Sequence, residues 1–170
     1  MITPEYAQMM ARYNHWQNDS LVKAASTLTD EDRWAERGAF WGSIGATFRH
    51  IYWADFLWLA RFGVVEAPKI TSFADAQAHI DWDEFVGQRR ELDGVIRDWA
   101  DGMTQGDIDG VLTYKSISYG ELSNPKAPLI VHVFNHATHH RGQIHMMLTA
   151  AGAKPDDTDI PIMPQEYKEY

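Results

Sequence analysis

The sequence predicts an all-α protein, a four-helix bundle with a longer insertion before its last helix. Three observations predict it. Apolar residues recur at helical spacing in four long stretches. Capping and helix-breaking residues stand at the ends of those stretches. One segment, residues 102–128, interrupts the pattern with glycines and alternating side chains. A length of 170 residues and a hydrophobic content of 45% suit a single folded domain, residues 1–170.

The first helix is expected over about residues 3–27. Thr3 stands at the capping position and Pro4 at the first helical position, where a missing N–H needs no partner. Tyr6, Met9, Met10, Tyr13, Gln17, Leu21 and Ala24 follow at helical spacing. Asn14 and Asn18 lie one turn apart, and both are poor helix formers. Such a pair either lines a site, bonds to a neighbouring loop or faces water. Residues 28–40 form a connector with one helical turn at 30–36. Ser43 can cap the second helix, which runs to about Phe62 and stops at Gly63. Its inner stripe is Ser43, Ala46, Thr47, His50, Trp53, Ala54 and Leu57. Asp55 falls about 140° around the helix from His50 and is expected to be an ion-pair or dipole partner. Residues 68–77 read as a loop with a short helical turn. Asp81 or Asp83 opens the third helix, whose stripe of Trp82, Phe85, Arg89, Leu92, Ile96 and Trp99 extends through about Ala100. Its charged run, Arg89, Arg90 and Glu91 with Asp93 and Arg97, reads as a solvated face. Between Gly110 and Gly120, apolar Leu112, Tyr114 and Ile117 interleave with Thr, Lys and Ser, which fits a short hairpin or an extended loop. Pro128 sits in the first turn of the fourth helix, which ends near Ala151 with Gly152 as terminator. The last residues, from Lys154, hold three prolines and are expected to lie extended along the body or reach a partner subunit.

Charge and composition exclude several functions. The net charge is −9, so the surface repels phosphate backbones, and no basic patch offsets this; nucleic acid is not an expected partner. No apolar run approaches the ~18 residues of a membrane span. The opening MITPEYAQMMARYNHW lacks the apolar core of a signal peptide. A cytoplasmic protein without membrane contact is the expectation. With no cysteine, thiolate ligands, disulfides and a cysteine nucleophile are all excluded.

The chemistry concentrates in HVFNHATHHRGQIHMML, residues 132–148. Five of the chain's eight histidines, at 132, 136, 139, 140 and 145, lie there on one expected helix. With His136 at zero, His140 falls at about +40° and His132 at about −40°. His139 falls near −60° and His145 near 180°, on the back. Two imidazoles one turn apart on one face can share a divalent ion. An HxxxH pair is a weak signal by itself, and two such pairs overlap here, His132/His136 and His136/His140; spacing does not choose between them. Burying several histidines without partners would be costly, which favours a ligand role. The third ligand must come from another helix. His50, mid-helix on an inner stripe, is the best placed, although a histidine there can also be a core residue bonded to a carbonyl. His15 and His79 are its rivals. His139 and His140, about 100° apart, cannot both serve one ion, so one of them is expected outside the coordination sphere; His145, on the back, is expected to be structural or exposed. Gln143, near −20°, is placed to bond within the bundle. Gly142 costs about 1 kcal/mol in mid-helix relative to Ala, and a close helix approach would explain it.

These motifs resemble the DinB-like (damage-inducible) family, the DinB/YfiT-like superfamily, over nearly the whole chain. The resemblance is carried by YNHWQNDSL, SIGATFRHIYWADFLWLARF, HVFNHATHHRGQI and the closing TDIP. It implies a four-helix bundle, a homodimer, and a metal triad that maps onto His50, His136 and His140, thereby selecting the second of the overlapping pairs. It also implies thiol-dependent S-transferases and isomerases among relatives, using low-molecular-weight thiols.

Three neutral imidazoles leave a divalent ion its full charge and at least one free position, as in catalytic rather than structural zinc sites. Such an ion can lower the pKa of a coordinated water, bind a thiolate or polarise a carbonyl. The ligand type suits Zn or Ni, and also Fe or Co. The expected function is therefore a metal-dependent transferase acting on a small-molecule substrate with a low-molecular-weight thiol. The alternatives are a metal-dependent hydrolase, for which no well-placed carboxylate base is visible, and a non-catalytic metal- or ligand-binding protein. Tyr13, Asn14, Asn18, Thr47 and Trp53 are candidate pocket-lining residues.

Overall fold

The computed structural model describes residues 1–69 and 72–168. The chain is mostly helical, in the order α1 (Pro4–Ala25), α2 (Asp30–Trp34), α3 (Ile44–Arg61), α4 (Phe73–Ala76), α5 (Trp82–Asp101), α6 (Gln105–Ile108), β1 (Val111–Ser116), β2 (Gly120–Pro125) and α7 (Lys126–Ala150). The four long helices occupy the four expected stretches. Their ends follow local chemistry. Ser43 Oγ accepts the Ala46 N–H at 3.1 Å, and the Asp81 carboxylate accepts that of Glu84 at 3.0 Å. Thr3 has the extended backbone of a cap, but its side chain makes no capping bond, so Pro4 alone marks the start of α1. Gly63 and Gly152 follow α3 and α7 with φ of +77° and +83°, a conformation open to glycine without a Cβ penalty.

The interrupted segment is a hairpin. β1 and β2 pair antiparallel, with Val111 opposite Pro125 and Ser116 opposite Gly120. Leu112 and Tyr114 lie on one face of β1 and pack on Trp58, Leu129 and Val133, tying the hairpin to α3 and α7. The expected loop at 68–77 contains α4, and its residues 70 and 71 lie outside the described residues. After α7 the chain runs along α1. Asp156 N–H donates to Ser20 Oγ (2.8 Å), Gln17 Nε2 to the Asp157 carbonyl (3.0 Å) and Tyr13 Oη to the Thr158 carbonyl (2.9 Å). Residues 13, 17 and 20 form one stripe of α1, so the tail is held as a strap; its last two residues lie outside the described ones.

Core packing gives the helix directions. One apolar cluster joins Leu21, Phe48, Ile51, Phe85, Ile144 and Leu148; a second joins Ala11, Leu59, Leu92, Ile96, Ile130 and Phe134. α1 and α7 therefore run from the second cluster to the first, and α3 and α5 run the other way. Helix α1 packs on α5 and α7, and α3 on α7 and α5, which closes a circuit of four.

A polar layer crosses this circuit. Arg89 donates to Asp55 Oδ2 at 2.8 Å and grips Asp93 with two bonds, at 2.9 and 3.2 Å. Asn18 Nδ2 donates to Asp93 Oδ1 at 2.8 Å, and Asn14 Nδ2 reaches the same oxygen at 3.5 Å. Arg141 donates to Asn14 Oδ1, and at 3.0 Å to Thr138 Oγ1. Asn14, Asn18, Asp55, Arg89, Asp93 and Arg141 are each at most 4% exposed. The layer thus joins all four long helices.

Several expectations are corrected here. Arg89 and Asp93 are not part of a solvated face; only Arg90 and Glu91 of that run are exposed. The i,i+4 spacing turns both inward, where each satisfies the other. Asn14 and Asn18 belong to this layer rather than to a pocket wall. Thr47 is fully buried, with its hydroxyl on the Ser43 carbonyl at 2.7 Å. No helix approaches Gly142: a Cβ there would meet no atom within 4 Å. Asp55 is the ion-pair partner its helical position implies.

Removing Arg89 would leave two buried carboxylates without their shared cation. Arg89→Met is expected to lower stability by roughly 3–5 kcal/mol in urea unfolding at pH 7, and Asp55→Asn, which keeps an acceptor, by less. A wild-type midpoint for Arg89→Met would show that the layer does not stabilise the fold.

Candidate metal centre

His50 of α3 and His136 and His140 of α7 converge where these two helices pack. One ring nitrogen from each lies within 4.8 Å of the other two, a group that could hold a metal ion. His50 Nε2 and His136 Nε2 are 3.1 Å apart. The three ring centroids are separated by 4.5, 4.7 and 5.1 Å. The two α7 rings meet because one helical turn separates them. His50 meets them because α3 packs directly on α7.

Two features orient and cover the cluster. Gln143 Oε1 lies 2.7 Å from His140 Nδ1, which fixes the proton there and leaves the Nε2 lone pair free. Trp41 stacks on His50, with centroids 4.0 Å apart and planes at 27°; Phe73 and Trp53 lie beyond, at 6.5 and 6.3 Å from the His50 ring. Trp41 is delivered by the turn before α3. There Gly42 N–H donates to the Ala39 carbonyl at 2.8 Å, and Gly45 makes room for Trp34, whose ring lies only 2.7 Å from where a Cβ would stand.

The surroundings favour uncharged rings. Burial, then the neighbouring His140, lowers the His50 pKa to about 3. Burial, then the other imidazoles, lowers that of His136 to about 3. Burial lowers His140 as well, against the bond from Gln143. Neutral imidazoles are the form that ligates a cation.

The remaining histidines lie elsewhere. His132 packs on Trp58, at 5.2 Å, with its ring 5.5 Å from that of His136; it is outside the converging group. His139 is exposed beside His140. His145 is half-buried, away from the cluster. His15 pairs with Asp19 at 3.2 Å, and His79 with Asp30 at 2.8 Å. Of the candidate lining residues, Trp53 is near the cluster, and Tyr13 lines a separate cavity between α1 and α7.

The sequence model describing the DinB family matches residues 1–169. The chain belongs to the DinB family. A relative of this DinB-family chain, Protein DinB of Bacillus subtilis (strain 168), is 24% identical over 157 residues, covering 91% of each chain. The family match spans the histidines of both α3 and α7.

Sequence reading missed Trp41, the layer around Arg89 and the role of Arg141. Trp41 lies in a turn, where periodicity gives no orientation. For the layer, the available signal was polar residues recurring at inward positions of four helices.

The lowered pKa values predict how the metal-free protein responds to acid. Above 6.5 these histidines are neutral in both folded and unfolded chains. Below 6.5 the unfolded chain takes up protons that the fold refuses, so stability falls as pH drops from 6.5 toward about 3, by up to about 1.4 kcal/mol per pH unit for each group. His136→Gln should lose less stability than wild type between pH 6.5 and pH 4.5 in thermal melts without metal. Equal losses would contradict a buried neutral His136.

Proposed function

We propose that this DinB-family protein holds a divalent metal ion on His50, His136 and His140 and acts as a metal- and thiol-dependent transferase on a small molecule. The observation that carries the reading is the convergence of three imidazoles from two helices. Two nitrogens bound at about 2.0–2.1 Å with tetrahedral geometry lie about 3.3 Å apart, and the 3.1 Å between His50 and His136 suits that separation. Zn or Ni fits the nitrogen donors best, and Fe or Co fits them too.

A cation on three uncharged ligands would keep its charge and an open position, with which it could hold a low-molecular-weight thiol in its thiolate form. The chain's own residues supply the rest. Gln143 holds His140 in the tautomer that presents Nε2. Trp41, Trp53 and Phe73 form an aromatic cover that limits water around the reacting sulfur. In the transfer, the thiolate sulfur forms a bond to an electrophilic carbon, that carbon's leaving group departs with its electron pair, and the thiol proton passes to solvent. The hydrolase alternative requires a base beside the attacking water. Asp55, the acid nearest to His50 in sequence, is committed to Arg89.

Within the same proposal, residues 1–170 are one domain, the closed helix circuit is a four-helix bundle, and the protein works as a cytoplasmic homodimer. Two measurements test the site and the reaction separately. His136→Ala should lose stoichiometric metal in elemental analysis while keeping the helical circular dichroism of wild type; unchanged metal content would refute the triad. Metal-loaded protein should conjugate a model electrophile with at least one of a panel of biological thiols, and the metal-free protein should not. No metal- and thiol-dependent turnover would refute the transferase and leave the binding site standing.

A further inference from the structure

Arg141 turns from the histidines toward α1, and its surroundings are unusual for a cation. It is 4% exposed, and the acceptors it meets, Asn14 Oδ1 and Thr138 Oγ1, are both uncharged. A guanidinium carries five N–H donors, so these two bonds leave others free. Arg89 takes both carboxylates of the polar layer, and Asn14 stands between Arg141 and Asp93. No carboxylate among the described residues pairs directly with Arg141.

Beside it lies a cavity of about 330 Å³, bounded by α1, α7 and the C-terminal strap. Arg141, Thr138, Gln17 and His145 supply polar lining, and Tyr13, Leu21 and Met146 the apolar one. Gly142 lies at its edge, and a Cβ there would meet no atom of a neighbouring element within 4 Å. Glycine in mid-helix costs about 1 kcal/mol relative to Ala, and here its effect is to keep the cavity open. The volume is that of a small-molecule site.

We propose that this cavity binds a small organic carboxylate. Its oxygens take N–H donors of Arg141 and the Thr138 hydroxyl, in the fork geometry guanidinium offers to carboxylates. Its apolar body lies on Leu21, Met146 and the Tyr13 ring. The site is distinct from the histidine cluster, which faces α3, and it does not depend on a metal.

Benzoate, its neutral isostere benzamide and inorganic phosphate, each titrated calorimetrically into the full-length protein at fixed ionic strength, test the proposal. Benzoate should bind saturably, one per chain, at least about tenfold more tightly than benzamide or phosphate, the margin expected from one charge-assisted contact. Arg141→Met should abolish that preference. Because Arg141 also serves the fold, Gly142→Leu provides the independent arm. It should fill the cavity and weaken benzoate at least about tenfold while keeping the wild-type metal content and a melting temperature at or above that of wild type, since Leu is the better helix former. Absent benzoate binding, equal affinity for benzamide, or full binding by Gly142→Leu would each overturn the site. Phosphate binding as tight as benzoate would overturn its assignment to organic carboxylates.

Discussion

Buried charge sets the rotation of the four long helices. Arg89 holds Asp55 and Asp93 in contact, Asn14 and Asn18 complete Asp93, and Arg141 closes the set through Asn14. Such groups lose their hydration on folding, and the net gain from pairing them is small or negative compared with a well-packed apolar core. Their consequence lies in what they forbid. Any packing that separates Arg89 from its acids strands charges in the interior, and apolar packing above and below the layer cannot compensate. Leucine and isoleucine contacts tolerate a helix turned by some tens of degrees. A bidentate guanidinium–carboxylate pair does not.

The histidine cluster is the electrostatic opposite of that layer. Three rings that burial and mutual repulsion keep uncharged meet under an aromatic cover, with their donor atoms turned toward one another. Two neutral imidazoles facing each other at 3.1 Å can share only one proton between their Nε2 atoms. A third ring on the same point has no complementary proton to offer. One cation could satisfy all three at once. No nearby carboxylate is needed to orient His140, because Gln143 does this without adding charge.

How much was legible in the sequence depended on whether a signal was periodic. Four long helices and the cap at Ser43 follow from spacing and turn chemistry, whereas the segment after Gly110 read equally as a hairpin or an extended loop, and the tail after Gly152 as lying on the body or reaching a partner. The convergence of His136 and His140 follows from spacing too. Spacing alone left His132 as an equal candidate, and only the family resemblance and then the packing of α3 separated them. Arg89 and Asp93 were misplaced because charged residues are usually exposed, and a sequence does not show that an i,i+4 pair can be buried when a third helix supplies Asp55. Gly142 suggested a close helix contact, but in the fold it borders empty space. Trp41 left no trace, since the turn that carries it has no repeat from which a direction can be read.

The two polar centres are linked by a common spacing. On α3, Asp55 follows His50 by five residues, and on α7, Arg141 follows His136 by five. Five residues are about 140° of helix rotation. Each helix therefore shows a histidine to its antiparallel neighbour while turning its charged residue toward another: Asp55 toward α5, Arg141 toward α1. A slip of one residue in either helix would swing both groups by about 100°, stranding the charge and withdrawing the histidine together. Because stranding the charge is the more expensive error, the polar layer holds the imidazoles in register. The rings need no strong attraction of their own to stay converged, and a cation held there would not spend its binding free energy on turning helices.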